Sequence, residues 1–231
     1  QRFLMNTYLM IEILFPGTKN IQEISKILEK YKNFGVNTNQ RLAHFLAQVR
    51  EEVGPELKPI SENLNYTEEE LKKTFKVFRD NPQLAENYGK DEDTPKADPV
   101  KIANYAYANK LGNGNPDSDK DGDIDEDDDG YKYRGAGVLQ ITGKFNFEEV
   151  QRRIDRYAPT SNIDIVNSND IHTLEGAILA GLAFWMWKDI YKAADMGTSD
   201  KDVDGVTKII NKHTNSYKER REYFRKIKHL I

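Results

Sequence analysis

Two glutamates early in the chain have the spacing and surroundings for acid–base chemistry. Glu52 is the next-to-last residue of the segment NQRLAHFLAQVREEV, whose apolar residues form one stripe of a predicted helix: Leu42, Phe45, Leu46, Val49 and Val53. On the same helical wheel Glu52 lies at the border of this stripe, whereas Glu51 points into solvent. Apolar neighbours favour the uncharged form of a carboxyl group, as a general acid requires.

Glu62 follows in the non-helical stretch GPELKPISENLNY. A helix-end acid that faces a loop acid can flank a glycosidic bond, which makes Glu62 the second candidate. Two other interpretations stay open on this evidence. Glu52 could be only a boundary residue in a salt bridge, and Glu56 competes with Glu62 by position but lacks a distinguishing context.

The stretch DSDKDGDIDEDDDG has the spacing of an EF-hand type calcium loop of twelve residues, here 117–128. The candidate ligands are Asp117, Asp119, Asp121, Asp123 (through its backbone carbonyl), Asp125 and Asp128. Gly122 would supply the sharp turn and Ile124 would anchor the loop. The twelfth position is aspartate, and the Gly/Pro-rich sequence before the loop prevents an entering helix, so we expect a lone calcium loop. A disordered acidic linker is the alternative.

The amino-acid composition excludes several kinds of site. The chain has 231 residues, 38% hydrophobic and 31% charged, and no cysteine, which excludes disulfides and thiolate zinc sites. The four histidines show no metal-ligand pairing, and no nucleic-acid motif is present. Residues 117–129 carry a net charge of −8 and the rest of the chain +4. The positive net charge of the rest of the chain is consistent with binding to an anionic polymer. Basic residues scattered over the surface explain this net charge equally well.

The elements that must position these residues are predicted to be helices. Helical periodicity covers residues 21–34, 39–53, 67–78, 99–111, 147–157, 174–191, 206–213 and 218–230. Asn37 and Thr67 are predicted N-caps, and RGAGVLQITG is predicted to be a short strand or turn. The apolar run LEGAILAGLAFWMW is too short to span a bilayer and indicates a buried core helix. The fold class is therefore mainly α, in one compact domain, with a division into two lobes as the alternative organisation.

Several segments, in order, resemble glycoside hydrolase family 19: RLAHFLAQVREEVG, ENLNY, IANYAYANKLGNG, YRGAGVLQITGKFNF, and VTKIIN followed by ERREYF. The similarity is greatest to the bacterial and phage lytic branch of this family, the chitinase-like endolysins and lysozyme-like antibacterial toxins. It spans roughly Ile11 to Lys228. The resemblance implies a lysozyme-like fold, here a bilobed helical domain with a catalytic cleft and the calcium loop inserted.

The resemblance also implies roles for individual residues. Glu52 would be the general acid and Glu62 the general base in an inverting hydrolysis of β-1,4 bonds. Residues that bind sugar or place the water fall on Gln140, Thr142 and Asn146. Among the substrate-binding residues, Asn211 would belong to the cleft itself and Arg220 to its supporting network. Peptidoglycan is the expected substrate, with chitin as the alternative, and an inactive calcium-dependent wall-binding module is the alternative from another class.

The expected organisation is one catalytic domain over residues 8–231, preceded by a terminal extension, 1–7. The chain begins with Gln1 and shows no secretory signal, so we interpret it as a piece of a longer polypeptide. We expect a monomer without membrane insertion, made in a bacterial cytoplasm and acting in the periplasm or cell wall. If it is a toxin, a cognate immunity protein is its expected partner.

Overall fold

The chain folds mainly into α-helices, as its periodicity predicts. This computed structural model describes residues 2–58 and 61–231. The helices are α1 (Arg2–Leu14), α2 (Ile21–Lys30), α3 (Asn39–Val53), α4 (Glu68–Thr74), α5 (Lys76–Asp80), α6 (Pro82–Tyr88), α7 (Pro99–Ala106), α8 (Asp129–Lys132), α9 (Lys144–Tyr157), α10 (Leu174–Trp187), α11 (Ile190–Ala194), α12 (Asp200–Asn211) and α13 (Tyr217–Ile227). Short 3-10 helices cover Asp170–His172 and Lys228–Leu230. Within the described ranges no β-strand forms.

The segment RGAGVLQITG contains a tight turn rather than a strand. Ala136 and Ile141 form an isolated antiparallel bridge, with backbone hydrogen bonds of 3.1 and 2.9 Å. Gly137 inside the turn has a φ of 89°, a conformation that glycine adopts without strain. The turn alternative of the prediction is therefore the one observed.

The first of two compact units contains Gln1–Ile60, Ala136–Ile141 and Glu149–Ile231. Helix α3 is buried on all sides from Leu42 to Val49 and packs against α1 and α13. Helix α10 is apolar on all sides and mostly buried, which explains why its sequence lacks a polar stripe. Trp185 of α10 is fully buried and donates a hydrogen bond of 2.9 Å to the Gly35 carbonyl. The predicted core helix is confirmed.

The second unit contains Ser61–Gly135 and Thr142–Glu148. Its core is a small apolar cluster contributed by α4 to α7 and the segment before them: Leu64, Leu71, Phe78, Ala85, Ile102, Ala103 and Ala106. Thr67 caps α4 in a complete capping box with Glu70, as predicted. Helix α7 carries Ile102 and Ala103 into this core, and its other face supports the acidic loop.

The predicted helix 67–78 is interrupted. Phe75 has an extended backbone that ends α4 and begins α5, while its ring makes edge contacts with Tyr66, Phe78 and Tyr107. The break therefore lets one aromatic side chain reach several partners in the cluster. The predicted helix 174–191 is likewise divided, because Asp189 adopts a left-handed conformation with a φ of 54°.

Three further boundaries differ from the sequence prediction. Thr38, not Asn37, caps α3 by accepting from the Arg41 N–H. Helix α6, which begins at Pro82, lies between the predicted helices 67–78 and 99–111, where no helix is predicted. Residues 2–7, predicted to be an extension, belong to α1 together with residues 8–14, and Thr7 is buried. No helix in the described chain is both long and apolar enough to cross a membrane.

Candidate active site

Glu52 lies in the last turn of α3 and is fixed by a buried arginine. Arg220 on α13 is 2% exposed and places Nη2 2.8 Å from Glu52 Oε1. Its Nη1 donates to Gln48 Oε1 at 2.8 Å, and its Nε donates to Ser216 Oγ at 3.0 Å. Gln48 in turn donates to Thr207 on α12 at 3.0 Å. Glu52 thus ends a hydrogen-bond network that joins three helices of the first unit.

Glu52 does form a salt bridge, as one interpretation of the sequence expected, but its partner is the almost fully buried Arg220. The Glu52 side chain itself is 20% exposed. The described hydrogen bonds use Oε1.

Glu51 does not point freely into solvent, contrary to the helical-wheel prediction. It is half-buried, and burial raises the pKa of its carboxyl group. The neighbouring carboxylates of Glu219 and Glu52 raise this pKa further, whereas Arg220 opposes them. The wheel failed here because it considers one helix alone, whereas α13 covers the side of α3 that carries Glu51.

Glu62 belongs to the second unit and is held by two hydrogen-bond donors. The hydroxyl of Tyr107 donates a short hydrogen bond to Oε1. The Gly135 N–H donates to Oε2 at 3.5 Å, while the Glu62 N–H donates to the Gly135 carbonyl at 2.7 Å. Both oxygens of the Glu62 side chain are thus contacted by neighbouring donors.

Tyr107 is the residue that sequence reasoning missed. The periodicity of IANYAYANKL assigns both Tyr105 and Tyr107 to the core, yet both are only half-buried. Burial strongly raises the pKa of the Tyr107 hydroxyl, and the hydrogen bond to Glu62 adds to this effect. The hydroxyl therefore stays protonated and keeps donating to Glu62. Tyr107 follows the last residue of α7, a position from which periodicity does not determine where the side chain points.

The remaining predicted residues are placed as follows. Thr142 and Asn146 lie together, because Asn146 Nδ2 donates to the Thr142 carbonyl at 2.8 Å. Gln140 and Asn211 are exposed, the latter at the end of α12. Glu56, the competitor of Glu62, is exposed and pairs with Lys58 at 2.9 Å.

The acidic loop brings together some of the predicted metal ligands. Carboxylate oxygens of Asp117, Asp119 and Asp128 lie within 4.8 Å of one another. A second group of the same size joins Asp119 and Asp125 to Asp127, which was not predicted as a ligand. Neither group includes the side chains of Asp121 and Asp123.

The loop is folded through its own hydrogen bonds and those of helix α7. Gly122 has a φ of 95° and donates its N–H to Asp117 Oδ2 at 3.1 Å. Asp128 is fully buried and accepts from the backbone of Asp119 and Asp125 at 3.2 and 2.8 Å.

Two side chains of α7 donate hydrogen bonds to backbone carbonyls of the loop. Lys101 Nζ donates to the Ile124 carbonyl at 2.7 Å, and Asn104 Nδ2 donates to the Asp125 carbonyl at 2.8 Å. Gly130 then packs so closely that an added Cβ would lie 2.4 Å from the Ala103 carbonyl oxygen. The acidic segment is thus an ordered part of the second unit and not a disordered linker.

Comparison with known proteins gives the family. No protein-family model matches the chain. The chain is 34% identical over 214 residues to a glycosyl hydrolase family 19 domain-containing protein of Haemophilus influenzae, and the match covers 92% of this chain and 90% of that protein. Identity at this level extends over nearly the full length of both proteins, so the chain belongs to glycosyl hydrolase family 19.

Proposed function

We propose that this protein is a peptidoglycan hydrolase that cuts β-1,4 glycosidic bonds of the bacterial cell wall. The family supplies the reaction class, glycoside hydrolysis, and implies a lysozyme-like fold. The proposal rests on the groups that contact the two predicted glutamates, which differ from one glutamate to the other. Glu52 is held by a buried arginine and Glu62 by a tyrosine hydroxyl and a backbone N–H.

Glu62 is proposed as the general base. Its carboxylate accepts from Tyr107 and Gly135, which hold its two oxygens in place. An ionised carboxylate can take a proton from the attacking water molecule. Inversion of the anomeric configuration is the expected stereochemistry, with the water and not Glu62 forming the new bond to the sugar.

Glu52 is proposed as the general acid. Its Oε2 would give a proton to the leaving oxygen, and Arg220 at 2.8 Å from Oε1 would stabilise the carboxylate that remains. Gln48 and Ser216 also bind the Arg220 guanidinium, so its position does not depend on Glu52 alone. Arg220 is therefore a positioning residue, and its burial keeps it from contacting a glycan directly.

Calcium is proposed as the ion of the 117–128 loop. The residues fit a hard cation, because three carboxylates converge and the buried Asp117 Oδ1 has no hydrogen-bond partner among the described residues. Asp117, Asp119 and Asp128 would supply side-chain oxygens. Calcium would offset the repulsion among the acidic residues of the loop and stabilise it on α7; we give it no part in bond cleavage.

The product of the reaction tests the proposed function. Purified peptidoglycan is digested in millimolar calcium, and the new reducing ends are trapped with borohydride and identified by mass spectrometry. Reduced muramic acid ends are expected, and a Glu52→Gln variant should not produce them. Cleavage of N-acetylglucosamine oligomers but not of peptidoglycan would identify a chitinase instead. No new ends from either substrate would favour a wall-binding module without hydrolytic activity.

A further inference from the structure

Helix α9 presents arginines to a cavity of the first unit that the catalytic proposal does not use. The cavity measures about 480 Å³, within the usual size range of small-ligand sites. Arg152, Arg153 and Arg156 line it together with Glu149, at the i, i+3, i+4 and i+7 spacing that puts them on one helix face. Its other wall comes from the end of α10 and the residues after it, including Trp187.

The charges of this arginine pocket do not cancel. Glu149 pairs with Arg152 through a short contact and with Arg153 at 2.5 Å, so one carboxylate serves two guanidinium groups. Asp189 also lines the pocket and pairs with Lys192 at 3.4 Å. Three arginines thus face two carboxylates, each already engaged by a cation. The pocket keeps an excess of positive charge.

Aromatic rings hold several of these cations without neutralising them. The Arg153 Cζ lies 5.3 Å and the Lys188 Nζ 3.9 Å from the centre of the Trp187 ring. The Arg156 Cζ lies 5.2 Å from the centre of the Tyr157 ring. Cation–π contacts restrict a side chain while leaving its charge available. A preordered cation loses less conformational entropy when it binds an anion, so the pocket favours oxyanion ligands.

A structural role explains part of this arrangement but not all of it. An arginine near the C-terminal end of α9 interacts favourably with the helix dipole. The ion pairs of the other arginines with Glu149 stabilise the helix further. Neither effect requires three arginines around one open cavity, nor a lysine on the indole of the facing helix. Guanidinium groups bind carboxylates through two parallel hydrogen bonds, which makes a carboxylate a well-matched ligand.

We propose that the arginine pocket is a second, non-catalytic binding site for the carboxylates of peptidoglycan stem peptides. This inference rests on the proposed function, because peptidoglycan is a wall polymer with repeated free carboxylates and chitin has none. Binding at a site separate from the reacting residues would hold the enzyme on an insoluble polymer between cleavage events.

The test measures wall binding rather than hydrolysis. A Glu52→Gln background prevents digestion, and sedimentation with purified insoluble peptidoglycan gives the dissociation constant. The double variant Arg152→Ala/Arg156→Ala should weaken binding about tenfold. It removes two exposed ion pairs of moderate strength between the arginine pocket and the wall carboxylates. Arg225→Ala is the matched control, because Arg225 is similarly exposed but lies on α13. The control should bind like the parent.

Chemical modification of the wall tests the ligand itself. Peptidoglycan whose carboxyl groups are converted to amides should bind the parent about as weakly as native peptidoglycan binds the double variant. Equal binding of the double variant and the parent, or equal binding to native and amidated wall, would overturn the proposal. Digestion by the unmodified protein is a separate readout, so a failure of the proposed hydrolysis is distinguished from a failure of this site.

Discussion

At the scale of single residues, the two glutamates differ in the kind of donor that holds them. Arg220 brings a full charge to Glu52, whereas Tyr107 and Gly135 bring neutral donors to Glu62. The two carboxyl groups are therefore held in place by different means, a charged side chain for the proposed acid and neutral donors for the proposed base.

Tyr107→Phe should impair the base without removing it. The substitution deletes the hydrogen bond that holds Glu62 Oε1 in place. The value of kcat/KM at neutral pH should therefore fall about tenfold. Steady-state kinetics on soluble wall fragments would measure this loss.

Tyr105→Phe is the control for this prediction. Tyr105 lies two residues earlier, within α7, is half-buried like Tyr107, and stacks on Tyr88. The kcat/KM of its variant should match that of the parent protein. A Tyr107→Phe variant that also matches the parent would show that the hydroxyl does not position the base.

The sequence identifies the glutamates more readily than their partners. Glu52 and Glu62 lie in recognisable segments at fixed spacing, and Arg220 follows from the same family pattern. Tyr107 has no such signal, since it follows the end of α7 and its periodicity is that of a core residue. The environment of Glu51 also required the structure, because α13 buries a position that lies outside the apolar stripe of α3.

At the scale of elements, the acidic loop is held by hydrogen bonds from two side chains of α7 to its backbone carbonyls. Within the loop, the Asp128 carboxylate accepts from the backbone. The remaining carboxylates repel one another at neutral pH, and a bound divalent cation removes most of that cost. Calcium at about a hundred times its dissociation constant should stabilise the protein by about 2.7 kcal/mol. For a chain of this length, that corresponds to a rise in Tm of about 5 to 10 °C.

The variants follow from the observed cluster. Asp117→Asn with Asp119→Asn should abolish the calcium-dependent rise in Tm, because both carboxylates belong to the converging group. Asp123→Asn should retain it, since that side chain is exposed and outside the group. Differential scanning calorimetry in calcium and in chelator provides the measurement. An unchanged Tm of the parent protein in the two conditions would exclude a structural calcium site.

Helix positions were predictable from periodicity, whereas helix interruptions were not. The bounds of α3 and the start of α10 agree with the prediction, because each is a long segment with a strong apolar pattern and a threonine cap. The breaks at Phe75 and Asp189 depend on ring packing and on a left-handed backbone conformation, respectively. Both are tertiary effects that local propensity does not contain.

At the scale of the whole molecule, acid stability depends on a buried histidine of α3. His44 is fully buried, stacks on Phe224 at 4.3 Å between ring centres, and lies with Nε2 2.8 Å from the Gly197 carbonyl. Burial lowers the pKa of His44 below its ordinary value of 6.5, although the Gly197 contact and the carboxylates of Asp202 and Asp195 oppose this. The folded protein therefore keeps this ring neutral.

The unfolded chain binds a proton at His44 more readily than the folded one does. The stability linked to His44 is fully present above about pH 6.5 and is lost as the pH falls toward the lower folded pKa. The slope for one such group is at most about 1.4 kcal/mol per pH unit. His44→Gln retains a donor but cannot titrate, so its stability should change less between pH 7.5 and 5.5. Urea unfolding at both pH values measures the difference, and equal changes in the two proteins would contradict the prediction.

The central claim is that Glu52 and Glu62 carry the hydrolysis, and the direct measurement is the turnover of three isosteric variants on peptidoglycan. Glu52→Gln and Glu62→Gln should each lower kcat by about 10² to 10⁴. Glu51→Gln is the matched control, since Glu51 is the half-buried neighbour of Glu52 and has no assigned role. It should stay within about threefold of the parent. The account predicts this separation with all three variants folded; near-normal turnover by Glu52→Gln, or equal losses in all three, would contradict it.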